Sequence, residues 1–139
     1  MKICCVIGLG YIGLPTAALL AKFGYKVIGV DINEEVIDKV NKGSCHINEP
    51  GLEKMIFNSV NNGLLSAKNK PEVADVFIVT VPTPFINSTT KLPIPNLNYL
   101  FKAIDSISKV IKKGDLLIIE STCPLGTTQE VAESIKKIT

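Results

Sequence analysis

The stretch that decides the fold is Lys2-Ile3-Cys4-Cys5-Val6-Ile7 running into Gly8-Leu9-Gly10-Tyr11-Ile12-Gly13. An alanine-rich segment follows, then a second apolar run, Lys26 to Val30, that ends on Asp31. A strand, a G-x-G-x-x-G turn, a helix, a strand and a terminal acid, in that order, form the fingerprint of a dinucleotide-binding unit. Each residue type has a physical task. Gly8 permits the tight turn; Gly10, lacking a Cβ, lets the backbone approach a pyrophosphate; Gly13 lets the first helix sit close to the sheet. The helix N-terminus offers unpaired N–H groups and a partial positive charge to the phosphates. Asp31 is placed to accept hydrogen bonds from both hydroxyls of the adenine ribose. A carboxylate there repels a 2'-phosphate, so NAD is favoured over NADP.

Outward from this unit, helical and strand patterns alternate to the end of the chain. The expected fold is therefore α/β, a doubly wound parallel sheet of Rossmann type with helices on both faces, in one domain over residues 1–139. The first helix is expected from about Tyr11 to Phe23, kept thin by Ala17, Ala18 and Ala21, and the second strand over Lys26 to Val30. The next helix has Asn33 as its cap and Gly43 as its stop. Asn48 or Glu49 followed by Pro50 is expected to start a further helix through Leu52, Met55, Ile56 and Val60. Leu64 to Lys68 reads as a short strand, and Val73 to Val81 and Leu116 to Ile119 as buried ones. Leu97, Leu100, Phe101, Ile104, Ile107 and Ile111 fall at helical spacing. Thr127 with Glu130 reads as a capping box for a last helix whose apolar face is Val131, Ile135 and Ile138. Between strands, Pro82 to Asn98 is one long loop holding four of the eight prolines, a length typical of binding loops or lids.

Composition narrows the function classes. All fifteen basic residues are Lys and the formal net charge is +2. Without Arg, and with lysines scattered rather than striped, a nucleic-acid partner is not expected. Cys4, Cys5, Cys45 and Cys123 have no C-x-x-C spacing and His46 is the single histidine, so no metal site is expected. Cys4 and Cys5 are adjacent on a strand and must face opposite sides of the sheet. A reduced, cytoplasmic protein follows from this cysteine usage. The uncharged run from Ile3 to Ala21 imitates a signal peptide, but Gly8, Gly10, Gly13 and Pro15 interrupt it and cleavage would remove the turn, so no membrane partner is expected.

Four polar motifs stand directly after expected parallel strands: Gly8 to Gly13, Asp31-Ile32-Asn33, Val81-Pro82-Thr83-Pro84 and Glu120-Ser121-Thr122-Cys123-Pro124. Ligands of open parallel sheets bind outside the carboxyl ends of the strands, so all four should line one crevice. Val81 suits packing near adenine or ribose. The hydroxyls of Thr83, Ser121 and Thr122 can bond the cofactor or a catalytic water, or serve only as turn and cap residues.

In the order and spacing of VIGLGYIGLPTA (6–17), VIGVDIN (27–33), INEPGL (47–52), VPTPF (81–85) and ESTCPLGTT (120–128), the chain resembles the UDP-glucose/GDP-mannose dehydrogenases over its whole length, as their N-terminal domain. These enzymes use two NAD to oxidise the C6 alcohol of a nucleotide sugar to a carboxylate. The motifs are most similar to the branch acting on UDP-N-acetylmannosamine. The resemblance implies that Tyr11 and Ile12 contact the pyrophosphate through their backbone and that Asp31 holds the ribose. It also implies that Thr83 and Thr122 contact the cofactor, with Thr122 beside the reaction centre. It further implies a UDP-sugar substrate and a homo-oligomeric parent. Val36 departs from the family, standing where some members have Arg.

In that family a cysteine thiolate captures the intermediate aldehyde. None of the four cysteines here matches it, Cys123 lying at a variable position of the EST-x-P motif. The central and C-terminal domains that carry it are absent from these residues, and the chain alone is expected to bind NAD without turnover. Two alternatives share the glycine turn: a β-hydroxyacid dehydrogenase, which does not explain EPGL or EST-x-P-x-GTT, and a non-catalytic NAD-sensing module, which leaves the VPTP loop without a purpose.

Overall fold

In a computed structural model describing residues 1–86 and 93–136, β1 (Ile3–Ile7) is the middle of a five-stranded parallel sheet. It pairs on one side with β2 (Lys26–Val30) and on the other with β4 (Val76–Val79). β3 (Leu65–Lys68) and β7 (Leu116–Ile119) form the two edges, in the order β3-β2-β1-β4-β7. The Cys4 and Cys5 pair shows how the layers arise. Successive strand residues face opposite sides, and Cys4 enters a core with Leu14, Ala17, Val40 and Ile56 while Cys5 enters another with Phe77, Leu100, Ile104 and Val131. Helices α1 (Gly13–Lys22), α2 (Glu34–Asn41) and α3 (Leu52–Asn61) cover the first face. Helices α4 (Asn98–Ser108) and α5 (Thr127–Lys136) cover the second. The sheet is doubly wound, as expected. Burying Phe77 completely supplies on the order of 2–3 kcal/mol by itself.

Ala17, Ala18 and Ala21 are fully buried, so α1 lies close against the strands. Asn33 caps α2, its side chain accepting from the Glu35 N–H, and Gly43 stops it at φ +74°. Other boundaries differ from expectation. Tyr11 and Ile12 sit in an exposed turn before α1. α3 starts at Leu52 rather than at Pro50, because Gly51 at its N-cap has φ +81°, a left-handed conformation that no helix continues through. β4 is shorter than Val73 to Val81, its pairing with β1 starting where Cys4 meets Val76. Within the long loop, Phe85–Ile86 (β5) and Ile94–Pro95 (β6) pair as a small antiparallel ribbon.

Two expectations fail outright. Leu116 to Ile119 is not a buried strand: Leu117 and Ile119 pack on the α4/α5 core, but Leu116 and Ile118 are 54% and 39% exposed. As an edge strand paired only with β4, β7 has no helix over its other face among the described residues. Thr127 and Glu130 do not form a capping box. The Thr127 hydroxyl donates to the Pro124 carbonyl instead, and the Glu130 N–H bonds the Gly126 carbonyl. The opposite edge is closed by a side chain: Asn41 donates to the Ala67 carbonyl and accepts from the Ala67 N–H, covering the outward backbone of β3. Ile138, expected on the face of the last helix, lies outside the described residues.

Candidate functional site

The winding of the sheet reverses between β1 and β4, since the connections from β1 lead through α1 to β2 while β4 lies on the other side. A crevice opens at such a point beyond the strand ends. The four sequence motifs all emerge there, and hydrogen bonds tie them to one another. The Thr80 hydroxyl at the end of β4 reaches the Ile7 and Gly8 carbonyls at 3.0 and 2.8 Å. The Ser121 hydroxyl donates to the Val81 carbonyl at 2.7 Å, and the Thr83 hydroxyl to the Thr122 carbonyl at 2.7 Å. Asp31 accepts from the Leu9 N–H at 2.8 Å and from the Asn33 N–H at 2.9 Å.

The three glycines of the turn divide by what surrounds them. Gly8 has φ +94°, and a Cβ there would come within 2.9 Å of the Thr80 carbonyl oxygen. A Cβ on Gly13 would overlap the Gly8 carbonyl oxygen and the Thr80 hydroxyl. Gly13 thus admits the contact of helix with turn, a closer demand than packing on the sheet. Around Gly10 a Cβ would meet nothing within 4 Å. Gly10, Tyr11 and Ile12 are exposed, and α1 begins with no side-chain cap and no acid in its first turn. A helix start left uncapped beside open space matches the chemistry of a phosphate group, which accepts from the N–H donors there.

The hydroxyls also divide. Those of Thr83 and Ser121 have given their protons to carbonyls and retain only acceptor lone pairs. Thr122 is exposed, and its hydroxyl makes no hydrogen bond among the described residues. Val81 is half-buried against the α4/α5 core. Thr80 escaped sequence reading, because a threonine ending the run VFIVT resembles any β-branched strand residue. Gly29 escaped it too: it lies beneath the Leu9 side chain.

The remaining reactive groups offer no nucleophile from beneath the sheet. Burial pushes the Cys4 thiol up and the Cys5 thiol up to about 11, which keeps both protonated and inert. His46 lies in the loop between α2 and α3, and its buried Nδ1 has no hydrogen-bond partner among the described residues. Two hollows lie away from the turn. One of 420 Å³ is on the α4/α5 side of β7, against Leu117, Ile119, Val131 and Ile135, and one of 310 Å³ lies between α1 and α3. No helix among the described residues is long and apolar enough to cross a membrane.

A glycine turn entering a helix at the switch point of a parallel sheet, with an acid closing the second strand, defines a nucleotide-binding domain of the Rossmann class. The chain belongs to the UDP-glucose/GDP-mannose dehydrogenase family, whose NAD binding domain matches residues 1–139. A UDP-N-acetyl-D-mannosamine dehydrogenase of Campylobacter jejuni is 54% identical over 129 residues, covering 93% of this chain and 31% of that protein. An NDP-N-acetyl-D-galactosaminuronic acid dehydrogenase of Ralstonia nicotianae is 45% identical over 92% of this chain and 29% of that protein. Among solved structures, the UDP-N-acetyl-mannosamine dehydrogenase Cap5O of Staphylococcus aureus superposes with a TM-score of 0.91 at 40% identity, over 99% of this chain and 33% of that one. The chain therefore spans about a third of these relatives' length. Membership in this family separates it from the β-hydroxyacid dehydrogenases and from NAD-sensing modules.

Proposed function

We propose that the chain is the NAD-holding part of an enzyme that oxidises the C6 alcohol of a UDP-sugar to the uronic acid, with UDP-N-acetylmannosamine as the sugar nucleotide. The observation that carries this reading is the open space at Gly10 beside the uncapped start of α1, in a turn whose other two glycines are enclosed. The backbone N–H groups of Tyr11, Ile12 and Gly13 hold the pyrophosphate, with Gly8 and Gly10 shaping the approach. Asp31 takes the ribose hydroxyls through lone pairs left over from its two backbone bonds. Val81 borders the adenosine side. Thr83 and Ser121 tie the two loops to each other, and Thr122, with its uncommitted hydroxyl, stands beside the reaction centre.

NAD, when bound, supplies the two-electron oxidant, and alcohol-to-acid conversion consumes two of them. This chain's residues bind and orient it; the thiol that the second oxidation needs is none of Cys4, Cys5, Cys45 or Cys123. The 139 residues thus bind NAD without turning over, in one domain. The whole enzyme is cytoplasmic and homo-oligomeric, and takes no nucleic acid or membrane as partner.

Calorimetric titration of the chain with NAD and with NADP tests the cofactor assignment. NAD is expected to bind at least about tenfold tighter, a difference of about 1.4 kcal/mol. Equal affinities would overturn the role of Asp31, and no binding by a folded chain would overturn the reading itself. For the parent enzyme, two NADH formed per UDP-N-acetylmannosamine consumed is the expected stoichiometry, and no NADH from that sugar would remove the substrate assignment.

A further inference from the structure

β2 holds the phosphate turn at two points that the glycine motif does not reveal. The fully buried Leu9 side chain lies over Gly29, where an added Cβ would come within 2.8 Å of a Leu9 methyl carbon. Two residues further along, where side chains return to the same face, the Asp31 carboxylate accepts the Leu9 N–H at 2.8 Å through Oδ2. Asp31 is itself anchored. Its N–H bonds the Lys68 carbonyl at 3.1 Å, and its Oδ1 takes the Asn33 N–H at 2.9 Å. Beside it, the Gly8 N–H bonds the Val30 carbonyl at 2.8 Å, a second tie between the turn and the strand end.

We infer that Gly29 and Asp31 form a seat for Leu9, making Asp31 a positioning residue for the phosphate turn in addition to its contact with ribose. The inference rests on the NAD reading above. Its physical basis is the capacity of a carboxylate. Each oxygen has two lone pairs, so Asp31 holds the backbone and still accepts from a ribose hydroxyl without breaking either bond. The ribose end and the pyrophosphate end of the site are thereby coupled through Leu9. One consequence concerns specificity: replacing Asp31 to admit a 2'-phosphate also releases the turn that must hold the pyrophosphate.

The test uses NAD, an NAD analogue carrying 2',3'-dideoxyadenosine, and the variants Asp31→Ala, Asp31→Asn and Gly29→Ala. In Asp31→Ala the dideoxy analogue is expected to bind about tenfold more weakly than to wild type, as fits the loss of a charge-assisted backbone hydrogen bond. In the same variant without ligand, the Leu9 amide should exchange faster with solvent while the amides of β4 keep their protection. Asp31→Asn can keep its one carbonyl oxygen for the Leu9 N–H, giving up the bond from the Asn33 N–H, and should recover part of the analogue binding that Asp31→Ala loses, which general damage to the fold would not allow. Gly29→Ala displaces Leu9 without touching the carboxylate, and should weaken NAD and the analogue by the same factor.

If Asp31 serves ribose alone, analogue affinity and Leu9 exchange will be the same in Asp31→Ala as in wild type, and the seat is overturned. Unchanged binding of both ligands by Gly29→Ala removes its Gly29 half. Should wild type bind neither ligand while Leu9 exchange still responds to Asp31→Ala, the NAD reading falls and the seat stands.

Discussion

The two walls of the crevice are built by opposite means. The wall after β1 depends on missing side chains: Gly8 and Gly13 leave room for backbone to touch backbone, and a Cβ on either would enter occupied space. The wall after β4 and β7 depends on added groups, the hydroxyls of Thr83 and Ser121 each donating to a carbonyl of the facing loop. Thr80 joins the two walls through the Ile7 and Gly8 carbonyls. Steric exclusion is a threshold effect, whereas one hydrogen bond contributes about 1 kcal/mol and can be exchanged for water. The wall after β1 is therefore set rigidly, and the wall after β4 and β7 can adjust.

The largest effect should follow from breaking the steric wall. Gly13→Ala is expected to lose at least about 4 kcal/mol or fail to fold, because the clash is with backbone that also carries the Thr80 bond. Urea unfolding measures it, and a loss below about 1 kcal/mol would mean the turn has slack the geometry does not show. Gly10→Ala sharpens the contrast within the same turn. Gly10 is exposed, its φ is not in the left-handed region, and open space surrounds it, so stability should change by less than about 1 kcal/mol. NAD binding should nevertheless be lost, since the added methyl occupies the phosphate's approach. Retained NAD binding in Gly10→Ala would place the pyrophosphate elsewhere.

Much of this division was legible in the residues. The glycine spacing, the acid at Asp31 and the opposed Cys4 and Cys5 depend on local geometry, and β2 runs over Lys26–Val30 as its pattern predicts. What was not legible depends on neighbours distant in sequence. The 2.8 Å bond from Leu9 to Asp31 and the crowding at Gly29 require β1 and β2 to be in register first. The exposure of Leu116 and Ile118 reflects the edge position of β7, and an apolar run reads the same at an edge as in the middle of a sheet. The Thr127 hydroxyl had two possible partners within one turn, and only the fold of the Pro124–Gly126 bend, with Gly126 at φ +90°, selects the carbonyl.

The smallest effects belong to the second wall, and they separate holding from acting. Ser121→Ala and Thr83→Val should each cost about 1 kcal/mol, Ser121 the more because its bond to the Val81 carbonyl is part-buried whereas that of Thr83 to the Thr122 carbonyl is exposed. Thr122→Val should change stability by less than about 0.5 kcal/mol, because its exposed hydroxyl has no hydrogen bond to lose among the described residues. In the dehydrogenase proposed above, however, Thr122→Val is expected to lower kcat while Thr83→Val mainly raises KM for NAD. A hydroxyl whose removal costs nothing in folding but slows turnover is one kept for substrate or cofactor. If denaturation instead shows Thr122→Val to be as destabilising as Thr83→Val, the Thr122 hydroxyl is another tie between the loops. The adjustable wall then contains no group reserved for the reaction.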